Sequence, residues 1–130
     1  MPQQISSITL VVRNYDEAIA FYTQKLGFEL LADTDLGDGK RWVLVAPPAS
    51  NAAALLLAQA ADEEQARYIG NQTGGRVFLF LQTEDFWADY HRMKALGVEF
   101  LEEPREESYA TVVVFQDLYG NKWDLLEPVS

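Results

Sequence analysis

One short phrase occurs twice in this chain. Residues 26–31 read L-G-F-E-L-L, and residues 96–101 read L-G-V-E-F-L. Each copy follows a stretch with helical spacing of apolar residues. Each of those stretches follows an apolar run with strand-like alternation. Recurrence on this scale points to a duplicated supersecondary unit. Two such units can face each other and enclose a cleft, where small molecules are held.

The local signals fill in the plan. Residues 5–12 alternate, with Ile8, Leu10 and Val12 aliphatic at even positions and Ser7 and Thr9 among the odd ones. Such alternation predicts a strand with one dry face and one more polar face. Asn14 and Asp16 are candidate caps for the next helix. Tyr15, Ile19, Tyr22 and Leu26 make its apolar stripe, and Gly27 stops it. A short strand is expected over 28–31, a turn over 35–39 and a strand over 41–46, ended by Pro47 and Pro48. The apolar run 52–58 reads as a buried strand, although periodicity does not separate it from a helix. A short helix over 61–70 and a connector over 71–75 follow.

The second half repeats the order. Val77, Leu79 and Leu81 fall on one face of a strand over 76–82, with Arg76, Phe78, Phe80 and Gln82 on the other. Phe86, Tyr90 and Met93 stripe a helix ended by Gly97. Residues 98–101 form a strand, 104–108 a loop, 109–116 a strand, 117–121 a turn and 122–127 the last strand. The expectation is one α+β domain over 1–130. Two tandem βαβββ modules, at about 1–60 and 74–130 with a connector over 61–73, form a concave, partly open sheet.

Charge narrows the partners. The chain has 130 residues and a net charge of -10. Such a surface repels nucleic acid and anionic membranes, so neither is an expected partner. With no cysteine, thiolate metal sites, disulfides and a cysteine nucleophile are excluded. The N-terminal residues carry no signal-peptide pattern and no apolar run is long enough for a bilayer, so a cytoplasmic protein is expected.

L-V-V-R-N-Y-D-E-A-I-A-F-Y-T-Q-K-L-G-F-E (10–29) and F-Q-D-L-Y-G-N-K-W-D-L-L-E (115–127) resemble the vicinal oxygen chelate superfamily. That superfamily includes glyoxalase I, bleomycin- and fosfomycin-resistance proteins and extradiol dioxygenases. The resemblance implies paired modules, commonly a homodimer, and in many members a divalent metal held by His or Glu on the strands. The fold by itself does not fix the function.

At the four places where the resemblance implies metal ligands, this chain differs. The first falls on Ser7. The second lies within 52–60, whose one polar side chain is Gln59. The third falls on Arg76, or on Phe78, depending on loop length. The fourth falls on Asp124, the one plausible ligand. A catalytic metal needs about three protein ligands, so no metal and no cofactor are expected. The one histidine, His91, sits mid-helix, where a surface or boundary role is expected.

Arg76 and Asp124 are read as facing the cavity, either paired with each other or, for Arg76, gripping an anionic group. Trp42, Phe78, Phe80 and Tyr109 are candidate aromatics for stacking on a flat ligand; the alternative is core filling, foremost for Phe80. Trp87 and Trp123 are assigned to helix packing or the surface. The acids Glu102, Glu103, Glu106 and Glu107 are expected to be solvated. Ser7, Trp42, Arg76, Phe78, Tyr109 and Asp124 are thus the candidate ligand-binding residues, with no catalytic set defined. The expected function is small-molecule binding, sequestering an aromatic or cationic compound. The alternative is a lyase or dioxygenase-type enzyme with an atypical site built on Arg76 and Asp124.

Overall fold

Alternation sets the first strand. In β1 (Ser7–Val12), Leu10 and Val12 are fully buried, Val11 between them is half-buried and Thr9 before them is exposed. The computed structural model describes all residues, Met1–Ser130, and divides them into two compact units, Met1–Ile69 and Gly70–Ser130. No helix is long and apolar enough to cross a membrane.

In the first unit the side chain of Asn14 accepts the Glu17 N–H and caps α1 (Tyr15–Ala20). Asp16 does not share that cap; it pairs with Arg41 at 2.9 Å. The single helix expected up to Leu26 is interrupted. After Ala20 the backbone widens into a π turn over Phe21–Lys25, where the Leu26 N–H donates to the Phe21 carbonyl at 3.3 Å. The Thr23 hydroxyl donates to the Ile19 carbonyl at 2.7 Å. Such back-bonding competes with the main-chain ladder and distorts helices. The stripe survives the distortion, since Tyr15, Tyr22 and Leu26 are all buried. Gly27, at φ 79°, then ends the helix in a conformation that costs other residues more.

β2 (Glu29–Gly37) and β3 (Lys40–Ala46) form a hairpin, and β4 (Ala54–Gln59) completes a sheet ordered β1-β4-β3-β2. β4 is parallel to β1 and antiparallel to β3. The strand expected to stop at Leu31 therefore runs on to Gly37, because its ladder with β3 continues. Bulges on either side of that ladder leave Leu31 and Leu36 unpaired, and both are exposed. The ambiguous run 52–58 is strand, with Ala54, Leu55 and Leu57 buried. A short helix, α2 (Glu63–Ala66), closes the unit.

The second unit contains β5 (Val77–Gln82), α3 (Phe86–Ala95), β6 (Glu99–Phe100), β7 (Arg105–Glu106), β8 (Ala110–Gln116) and β9 (Lys122–Pro128). Its sheet is ordered β5-β9-β8-β6, with β5 parallel to β9 and β7 also on β8. The order repeats that of the first unit if β6 and β7 are one strand broken in two. At the break, the Glu102 carboxylate accepts the Val114 N–H at 3.1 Å. A side chain there stands in for a main-chain carbonyl. The stretch 104–108, expected as loop, accordingly contains a strand pair, Arg105 to Val112 and Glu106 to Thr111.

Matching contacts tie each last strand to its helix. Gln59 Oε1 accepts the Tyr15 N–H at 3.2 Å, and Glu127 Oε1 accepts the Phe86 N–H at 2.8 Å. Both satisfy first-turn donors that a helix leaves open. Under α3, Phe115 and Trp123 stack at 5.8 Å, and Phe100 bridges Phe115 to Tyr90. Trp123 thus belongs to helix packing, as expected, and Trp87 to the surface. The turn after β8 is held by Asp117, and a β-carbon on Gly70 would stand 2.2 Å from the Tyr119 carbonyl oxygen beside it. Only glycine fits there.

Candidate functional site

β9 distributes its side chains by alternation. Trp123 and Glu127 lie on the α3 side, as their contacts with Phe115 and the Phe86 N–H require. Asp124 therefore projects from the opposite face. Its cross-strand neighbours are Phe80 on β5 and Val114 on β8. Phe80, on the edge strand β5, is 65% exposed, an unusual exposure for a phenyl ring.

Asp124 is poorly compensated. Its Oδ1 is buried and accepts no hydrogen bond. Burial pushes its carboxyl above the ordinary carboxylate range, Arg105 opposes the rise and Glu102 adds to it. Arg105 is held elsewhere, at 3.0 Å from Glu102 and 3.0 Å from Glu107. Those hydrogen bonds raise the Arg105 guanidinium above its usual range. The arginine supplies a field at Asp124 but no contact.

The predicted site residues do not all converge. Asp124 stands as described. Arg76 precedes β5, is exposed, and is not the cation acting on Asp124. The Arg76–Asp124 ion pair is not formed. Phe78 sits in a bulge where β5 slips against β9, and its ring meets Trp123 edge-on at 6.2 Å. Tyr109 is exposed, and its carbonyl accepts the Val129 N–H at 3.0 Å. Ser7 and Trp42 belong to the first unit. Ser7 is half-buried opposite Ala54, and Trp42 is 42% exposed opposite Thr34. Core filling, expected foremost for Phe80, does not describe it. Glu102, expected to be solvated, is bonded to both Val114 and Arg105. Arg105 drew no notice in sequence because it is one base inside an acidic run; only the fold sets it near Asp124.

A second charged cluster is structural. Arg41 binds Asp33 at 2.7 Å and Asp16 at 2.9 Å, and its guanidinium lies 5.1 Å from the Tyr15 ring centre. The hydrogen bond from Arg41 holds the Asp33 carboxyl below its usual range. This clasp joins the β2–β3 hairpin to α1.

The donor chemistry does not fit a divalent ion. Gln59 is committed to the Tyr15 N–H, Ser7 is a neutral hydroxyl, and Arg76 and Phe78 offer no lone pair. Neither unit brings three His, Asp or Glu side chains into an arrangement that could hold an ion, whereas a catalytic ion needs about three ligands.

The Asp124 shift has a consequence for stability. The folded chain holds this proton more tightly than the unfolded chain, so its contribution to stability falls as pH rises through the raised pKa. Asp124→Asn, which mimics the neutral form, is expected to melt at least as high as the natural chain at pH 7. The difference should close below about pH 4, where the carboxyl is protonated in both states. Melting curves of the two proteins across pH check this; an Asn variant that loses ground as pH rises would contradict the burial argument.

Comparison with known proteins places this geometry. Residues 4–125 match the sequence profile of the Glyoxalase/Bleomycin resistance protein/Dioxygenase superfamily. An uncharacterized protein of Shewanella frigidimarina is 58% identical over 128 residues, covering 98% of this chain and 95% of its own. The crystal structure of UcmS2 superposes with a TM-score of 0.84 at 32% identity, covering 97% of this chain and 98% of that one. TnmS3, an antibiotic binding protein from Streptomyces sp. CB03234, superposes at 0.78 with 27% identity, covering 98% of each chain.

Proposed function

Because the chain belongs to the Glyoxalase/Bleomycin resistance protein/Dioxygenase superfamily, we propose that it is a small-molecule-binding member. On this reading it sequesters an aromatic or cationic compound without a bound divalent metal. One observation carries the proposal: a half-buried carboxylate with one shielded, unpartnered oxygen lies beside an exposed phenyl ring on one sheet face. A charge kept under-compensated weakens the fold, and a ligand that neutralised it would restore what is lost. The likeness to TnmS3, itself an antibiotic binding protein, supports the same reading.

The enzyme alternative, a lyase or dioxygenase-type reaction through Arg76 and Asp124, has less support because those two side chains are not joined. We further propose a cytoplasmic homodimer. Sedimentation equilibrium is expected to give twice the 14.7 kDa chain mass, and a monomer at micromolar concentration would remove that part of the proposal. The binding reading is tested by thermal shift against a panel of aromatic and cationic natural products. A compound at 100 times its Kd should stabilise the protein by about 2.7 kcal/mol. A panel with no stabilising compound would count against binding as the function.

A further inference from the structure

We infer that Asp124 and Phe80 together anchor a planar organic cation, with the positive group on the carboxylate and the ring system against the phenyl. The inference rests on the binding reading and specifies its ligand. Three features of the second unit support it.

The first is charge. Asp124 has a buried oxygen without a hydrogen-bond partner, and Arg105, the base whose field reaches it, is held by Glu102 and Glu107. The charge of Glu102 adds to the negative field at Asp124. A neutral ligand would leave this charge uncompensated, and an anion would add to it. The chain's net charge of -10 also draws cations toward it.

The second is shape. Phe80, Asp124 and Val114 stand side by side on three neighbouring strands. Strands lie about 4.8 Å apart, so the row spans roughly 10 Å. That is the length of a three-ring fused aromatic, not of a compact ammonium ion.

The third is the exposure of Phe80, which no contact within the second unit accounts for. A ring left open beside a carboxylate offers both stacking and cation–π attraction to the same molecule.

The test uses proflavine, a three-ring cation, and anthracene-2-sulfonate, a three-ring anion of similar outline, each titrated by fluorescence. Proflavine should bind the natural chain, and the sulfonate about tenfold more weakly or not at all. Asp124→Asn should weaken proflavine about tenfold, and Phe80→Leu about threefold. Glu103→Gln removes an exposed acid and should change affinity less than about twofold, which separates a specific contact from bulk charge. Melting curves verify that each variant is folded. No proflavine binding, equal affinity for the two probes, or indifference to Asp124→Asn would each overturn the inference. If a compound from the broader panel stabilises the protein equally in the Asp124→Asn variant, the binding function stands and this anchor falls.

Discussion

Asp117→Ala is expected to cost about 3 kcal/mol of stability in urea denaturation, although the residue touches no proposed ligand. Asp117 is only 4% exposed. Its Oδ1 accepts the Tyr119 N–H at 3.0 Å and the Asn121 N–H at 2.9 Å, and its Oδ2 accepts from the Asn121 amide at 3.0 Å. Asn121 in turn accepts the Gln72 N–H at 3.3 Å, which fastens the start of the unit to this turn. Alanine removes the acceptor of three donors in a space largely closed to water. Each buried donor left unsatisfied costs about 1–3 kcal/mol, and water entering the turn recovers part of the total. Asp117→Asn keeps one acceptor oxygen and should cost less than alanine. Equal stability of Asp117→Ala and the natural chain would show that the turn is solvated.

Phe115→Ala should cost more, about 3–5 kcal/mol. Phe115 is fully buried near the end of β8, stacked on Trp123 and edge-on to Phe100. Truncation removes the central ring of the layer beneath α3, and its neighbours are fixed to a sheet that closes the gap poorly. Phe115→Leu fills most of the space and should cost distinctly less. The comparison matters for the site as well. β8 carries Phe115 on the helix side and Val114 on the Asp124 side. A slack core under the sheet would loosen the row of Phe80, Asp124 and Val114, so Phe115→Ala should also lower ligand affinity at temperatures where it remains folded.

Much of this architecture is legible in the sequence because it rests on local rules. Gly27 and Gly97, at φ 79° and 92°, end their helices where the repeated phrase places them. The stripes Tyr15–Tyr22–Leu26 and Phe86–Tyr90–Met93 are buried as their spacing predicts. Alternation in β1 assigns the buried face correctly for Leu10 and Val12.

What was not legible depends on register and on distant partners. The bulge at Phe78 shifts β5 against β9, so Phe78 and Phe80 do not share the environment that strict alternation gives them. The π turn arises from Thr23 competing for the Ile19 carbonyl, a choice invisible to a pattern of apolar residues. Gln59 is the one polar side chain of its stretch, and its partner, the Tyr15 N–H, is far away in sequence. The long β2 is hidden in sequence because its residues are mostly exposed, with the acids Glu29, Asp33 and Asp35 among them, and only the ladder with β3 makes them strand.

Asp124 was found by analogy of position, but its chemical state follows only from the fold. Burial raises its pKa, and Arg105, brought near by the broken edge strand, moderates the rise without touching it. Arg76, with the same charge and a position just before β5, is the candidate that sequence offers, and it does not pair with Asp124.

The most direct measurement is the chemical fate of a bound compound. A stabilising aromatic or cationic molecule is incubated with the purified protein, and both are then separated and weighed by mass spectrometry. The account predicts saturation at one molecule per chain and recovery of that molecule unchanged after many hours. Conversion of the compound in excess of the protein present would contradict it, and would make this chain a catalyst rather than a container.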